Sequence, residues 1–134
     1  MAEAFKFELV SPERLLVSEE VDAVIIPGAD GEMTVMARHA PVMTMVKPGV
    51  VTVRPVSGAE ERYVVFGGFA DILPEGCTLL AESAVAVKDI DRTDLSRRIQ
   101  DAKEDVADAR DDAARTRAEQ YLAHLTTLEA ALAA

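Results

Sequence analysis

Polar and apolar residues alternate one for one where the chain begins: Phe5-Lys6-Phe7-Glu8-Leu9-Val10 has the period of a strand with one buried face. Ser11-Pro12-Glu13 then turns the chain. Leu15–Val17 and Val21–Ile26 predict two further strands, the second stopped by Pro27-Gly28. Asp30-Gly31 supplies the positive φ of a tight turn before a short strand over Met33–Met36. Val42–Val46 is ended by Lys47-Pro48-Gly49, Val50–Arg54 by Pro55, and Arg62–Phe66 by Gly67-Gly68, where the apolar run resumes as Phe69–Leu73. Glycines inside such a run predict a bulge or a close backbone approach. Cys77–Ala81 follows the turn at Pro74-Glu75-Gly76. Turn residues every eight to twelve positions, with no helix-length stretch between, predict an antiparallel sandwich or barrel.

The pattern changes near Lys88. All seven glycines and all six prolines lie at or before Gly76. Beyond Asp89 the apolar residues fall three or four apart, at Leu95, Ile99, Ala102, Val106 and Ala109, the stripe of an amphipathic helix capped by Asp91 or Thr93. A second stripe runs through Tyr121, Leu122, Leu125, Leu128 and Leu132. Asp108-Ala109-Arg110-Asp111-Asp112 between them carries no large hydrophobe, so the reading is a two-helix hairpin, with one long helix as the rival. The expected domains are therefore 1–88, all β, and 89–134, an α-helical hairpin.

Charge and composition narrow the function. The net charge is −10, which disfavours nucleic acid and anionic lipid and suits a locally basic partner. No apolar run reaches the roughly 20 residues of a membrane span. The opening MAEAFKFELV lacks the basic and long apolar regions of a signal peptide and the Arg/Ser bias of a transit peptide. The single cysteine, Cys77, fits a reducing compartment and reads as a small strand hydrophobe. His39, His124 and Cys77 are scattered, so no metal site is expected. No P-loop and no nucleophile elbow is present, and no acid, base and nucleophile converge, so catalytic residues are not expected.

The unusual stretch is Pro27–Pro41, PGADGEMTVMARHAP, which sets Asp30, Glu32, Arg38 and His39 in an otherwise aliphatic region. Loops on a rigid scaffold are where contacts and chemistry concentrate. His39 alone reads equally as a structural hydrogen-bonder or an interface residue.

The order Phe7–Arg14 (FELVSPER), Pro27–Glu32 (PGADGE), Arg38–Pro41 (RHAP), Lys47–Gly49 (KPG) and Gly67–Phe69 (GGF), with Asp89–Asp91 (DID) opening the helices, resembles the epsilon subunit of bacterial F-type ATP synthases. The resemblance implies an N-terminal β-sandwich of about ten strands and a C-terminal two-helix hairpin. It implies a non-catalytic central-stalk role, with the gamma subunit and the c-ring as partners and the hairpin reaching the catalytic beta subunits. It places Asp30, Gly31, Glu32, Arg38, His39, Ala40 and Pro41 at the c-ring and gamma interface. It also implies a peripheral position on the cytoplasmic face of the bacterial inner membrane, without lipid insertion.

Three departures matter. Relatives that bind ATP in the hairpin use an I/L-D-x-x-R-A pattern. Here Ile90-Asp91-Arg92-Thr93-Asp94-Leu95 keeps Asp91 but sets Asp94 and Leu95 in place of Arg and Ala, so no cofactor is expected. After Arg117 there is no Lys or Arg to meet acidic catalytic subunits, so inhibition of ATP hydrolysis by the hairpin is expected to be weak. Met36-Ala37 also differs from the Pro-containing pair that often precedes the histidine. The alternatives are a stand-alone sandwich-plus-hairpin adaptor and a small hydrolase using His39. An organellar delta subunit is disfavoured by the lack of a transit peptide.

Overall fold

Three of the seven strands are much longer than the sequence pattern predicts, and each absorbs a break that reads as a strand end. A computed structural model describes residues 3–133. Its strands are β1 (Phe5–Val10), β2 (Leu15–Gly28), β3 (Gly31–Val35), β4 (Val42–Pro55), β5 (Glu61–Leu73), β6 (Gly76–Ala81) and β7 (Ala84–Ala86). Two compact units result, residues 1–87 and 88–134.

The long strands continue because each irregularity shifts phase without breaking the ladder. In β2 the register slips between Val21 and Ala23, so that Val17 and Val21 face the core before the slip and Val24 and Ile26 after it. In β4 the inward set changes from Val46 to Val51 and Val53 across Lys47-Pro48-Gly49. Gly49 is required there, since a Cβ would sit 2.8 Å from the Cβ of Pro27 on β2. In β5 the inward set changes from Val65 to Ala70 and Ile72 across Gly67 and Gly68, at φ 108° and 153°. Of the three prolines in strands, Pro27 and Pro48 lie at irregularities and Pro55 ends β4, positions where a missing N–H costs least.

The strand order β1-β6-β5-β4-β2, with β1 also paired to β2, closes a five-stranded ring. β3 adds to β2 and β7 to β5. This corrects two expectations. There are seven strands among the described residues, not about ten, because the pairs predicted within β2, β4 and β5 are single strands. One pairing, β1 with β6, is parallel, so the sheet is not wholly antiparallel. Closure removes the open edges of those five strands and encloses one apolar core, with Phe7, Leu9, Ile26, Ile72 and Leu79 fully buried. Each such side chain contributes about 1.5–3 kcal/mol.

A 3-10 turn (Val87–Asp89) leads from the first unit into the second, which holds α1 (Arg92–Asp108) and α2 (Asp112–Ala133). The hairpin, not the single long helix, is what forms. Asp91 caps α1, its Oδ1 accepting from the N–H of Thr93 (2.8 Å) and Asp94 (3.3 Å). Ala109 is extended, and Asp111 starts α2 by accepting from the N–H of Ala114 at 2.7 Å. The extended Ala109 thus ends one helix and a second aspartate cap opens the next, where neither Gly nor Pro is available. The Arg92 guanidinium donates to the Leu132 carbonyl at 2.9 Å, tying the first turn of α1 to the last of α2.

Candidate contact surface

The Pro27–Pro41 stretch is two separate turns at opposite ends of β3. At the first, Gly28 pairs with Gly31 and Pro27 with Glu32, and Ala29 and Asp30 form the tip. Gly31 carries the positive φ (136°), and a Cβ on Gly28 would meet the Gly31 carbonyl at 2.8 Å, so both glycines are dictated by the turn. The Ala29 N–H donates to the Met45 carbonyl (2.9 Å), fastening the tip to β4. Asp30 and Glu32 are exposed. Neither carboxylate has a hydrogen bond or ion pair among the described residues.

At the far end, Arg38 sits at φ 65° and its N–H donates to the Pro74 carbonyl (2.9 Å), while its guanidinium pairs with Glu3. The His39 N–H donates to the Met36 carbonyl (3.2 Å). Its Nδ1 lies 2.8 Å from the Ala40 carbonyl, which can only accept, so Nδ1 is the donor in that contact. Ala40 and Pro41 are exposed. The five residues of β3 span roughly 17 Å, so Asp30 and Glu32 are not gathered with Arg38 and His39. An acid–histidine constellation is therefore not assembled at this loop.

The second feature escaped sequence reading. Met45 on β4 pairs with Phe69 on β5, Phe69 with Leu80 on β6, Leu80 with Val10 on β1, and Val10 with Leu15 on β2. All five occupy one outward row, with Met45 61 %, Leu80 51 % and Leu15 53 % exposed, and Met43 beside them at 64 %. A sheet face meant for water would alternate to polar residues here. A contiguous apolar row of this kind marks an interaction surface. The signal in the sequence is Val42-Met43-Thr44-Met45-Val46, apolar on both faces of one strand.

Other candidate chemistry is occupied with structure. Cys77 is buried, and desolvation together with the nearby Asp71 charge pushes its thiol up to about 12. No grouping of His, Cys, Asp or Glu among the described residues could hold a metal ion. In the helical unit Asp91 is spent on the cap and Leu95 is buried. Asp94 is bound to Arg98 (3.1 Å) and to Arg97. The Arg98 hydrogen bond, above all, holds its carboxyl below the usual range. No described helix is long and apolar enough to cross a membrane.

The architecture is a closed β-ring with a charged hairpin tip and an apolar outer row, followed by a helical hairpin. The match to known proteins is specific. Residues 4–87 fit the family model described as ATP synthase, Delta/Epsilon chain, beta-sandwich domain. The chain is 79 % identical over 132 residues to the ATP synthase epsilon chain of Mesorhizobium japonicum, covering 98 % of each. It is 64 % identical to that of Chelativorans sp., again covering 98 % of each, and 62 % identical to that of Rhizobium meliloti over 96 % of this chain and 95 % of the other. A chain of the Euglena gracilis mitochondrial ATP synthase (OSCP/F1/c-ring) superposes with a TM-score of 0.75 at 28 % identity, over 96 % of this chain and 81 % of that one. One from the Tetrahymena thermophila central stalk and c-ring has the same fold, with a TM-score of 0.75 at 13 % identity over 98 % of each. The chain belongs to the ATP synthase delta/epsilon family.

Proposed function

We propose that this chain is a non-catalytic central-stalk subunit of a proton-translocating F-type ATP synthase, coupling rotation of the c-ring to ATP synthesis. The observation that carries the reading is the pairing of two unlike surfaces on one rigid ring. Asp30 and Glu32 stand exposed on a hairpin tip fastened to β4, suited to basic groups on the polar loops of the ring. The apolar row through Met45, Phe69 and Leu80 suits a lasting packed contact with gamma. Arg38, His39, Ala40 and Pro41 lie at the other end of β3 and belong to the same c-ring and gamma interface. Torque needs surfaces that do not yield; Glu32, Met45, Phe69 and Leu80 are held in ladders, and Arg38 and His39 by backbone hydrogen bonds. The ring itself reads as a flattened sandwich, with β2, β4 and β5 each running through both layers.

The subunit sits peripherally on the cytoplasmic face of the bacterial inner membrane. The hairpin contacts catalytic beta subunits and restrains ATP hydrolysis only weakly. ATP binding in the hairpin is disfavoured, because Asp94 occupies the cation's position and already consumes Arg97 and Arg98.

The test is a cross-link. Glu32→Cys and a cysteine in the polar loop of subunit c should form a disulfide in intact membranes, stop ATP-driven proton pumping, and release it on reduction. Buried Cys77 leaves the background clean. Absence of the cross-link at both Glu32→Cys and Asp30→Cys, in membranes holding an intact synthase, would overturn the assignment of this tip.

A further inference from the structure

One end of the ring is lined by acids where the pattern calls for aliphatics. On β2 the inward positions are Val17, Glu19 and Val21, and Glu19 pairs with buried Phe7 on β1. On β5 they are Glu61, Tyr63 and Val65, and Glu61 pairs with buried Val53 on β4. Glu19 and Glu61 are therefore thrust toward one another across an apolar end, from strands that β4 separates. The Tyr63 hydroxyl donates to Glu61 Oε2 at 3.3 Å, while Glu61 Oε1 is buried and has no donor.

Among the described residues no cation relieves the pair. On β1, Lys6 and Glu8 take the outward positions. Glu20 and Asp22 do so on β2, and Arg62 on β5. Arg54 on β4 points outward and is held by Glu60. β7 contributes only Ala84, Val85 and Ala86. Two bare carboxylates beside an orphaned acceptor would be costly in such a place. A single proton resolves both problems, because a protonated Glu19 supplies the donor that Oε1 lacks.

We propose that Glu19 and Glu61 share one proton across the end of the ring, Glu19 as the acid and Glu61 as the acceptor, forming a pH-sensitive latch between β2 and β5. Desolvation first, then the hydrogen bond and charge of Glu61, raise Glu19 above its ordinary value of 4.5. Burial and the same carboxylates push Tyr63 up to about 12, so its hydroxyl stays a donor throughout. The folded state thus holds a proton that the unfolded chain gives up. The latch is fully formed below the ordinary glutamate range, weakens as pH rises above it, and is lost once pH passes the raised value.

Urea unfolding of the full chain from about pH 4 to about pH 9, for wild type and Glu19→Gln, reads this directly. An amide keeps the donor and cannot ionise. The ratio of wild-type to Glu19→Gln folding constants should fall as pH rises, by up to about tenfold per unit while Glu19 titrates, and then level off. Glu20→Gln, on the outward face, should track wild type. A ratio independent of pH would overturn the latch. Should Glu19→Gln fail to fold, carboxyl NMR of the wild-type chain decides: a Glu19 midpoint well above ordinary glutamate supports the shared proton, and an ordinary one overturns it.

Discussion

Replacing three glycines by alanine, one at a time, separates two costs that the ring imposes on its backbone. At Gly58 the φ is ordinary and a Cβ meets nothing within 4 Å. Gly58→Ala should be neutral or stabilise by up to about 1 kcal/mol, through the unfolded chain. At Gly31 the space is equally open, but φ is +136°, so alanine pays only for conformation, about 1–2 kcal/mol. At Gly68 φ is +153° and a Cβ would also fall 2.3 Å from the Leu80 carbonyl oxygen and 2.9 Å from Ala81 Cα. Those atoms belong to the β5–β6 ladder, where Gly68 pairs with Ala81, so they cannot swing aside. Strain and overlap together should cost about 3–5 kcal/mol. At about 4 °C per kcal/mol for a chain of this size, melting followed by circular dichroism should place Gly58→Ala at or slightly above wild type. Gly31→Ala should melt about 4–8 °C lower and Gly68→Ala about 12–20 °C lower. Equal losses at Gly31 and Gly68 would refute the argument, since the close approach of β5 to β6 would then contribute nothing.

Three further outcomes follow from the same structure. Cys77 should resist thiol reagents until the ring unfolds, as mass spectrometry of alkylated native and urea-treated protein would read. Because its folded value lies near 12 against an ordinary 9.0, its stabilising contribution should be present below pH 9.0 and fade as pH rises towards about 12. Met45→Lys and Leu80→Lys, on exposed positions, should leave melting within about 0.5 kcal/mol of wild type yet weaken binding to gamma by at least tenfold, measured by calorimetry. Deleting Thr93 to Ala134 should change ATPase activity of the complex only slightly; a many-fold rise would refute weak inhibition.

Much of the fold is legible in the sequence, because strand period and helix period differ and the glycines and prolines all stop before the helices begin. What misleads is punctuation. Lys47-Pro48-Gly49 and Gly67-Gly68 carry the residues of a strand end, yet in a closed ring the same residues let one strand bend and change the face it buries. Only long-range pairing reveals this, as with Gly49 against Pro27 and Gly68 against Leu80. The parallel contact of β1 with β6 is equally non-local. The helix break was visible as a gap in the apolar stripe, and Asp111 acting as a second cap explains why no glycine was needed. At the contact surface, residue types stand out but geometry does not. Asp30, Glu32, Arg38 and His39 look like one cluster in sequence, and five strand residues set them apart. The apolar row is invisible until registers are known, since its members come from five strands. Glu19 and Glu61 each look like an ordinary polar position in sequence, and only the strand registers bring them together.

The central claim is that this chain works as a stalk subunit, through contacts with the synthase. Its most direct test is recovery of the tagged protein from mildly solubilised membranes, with identification of what accompanies it. Gamma, the catalytic subunits and the c-ring should accompany it. Recovery of none of them, from membranes that contain an intact synthase, would contradict the claim and leave a stand-alone adaptor as the better description.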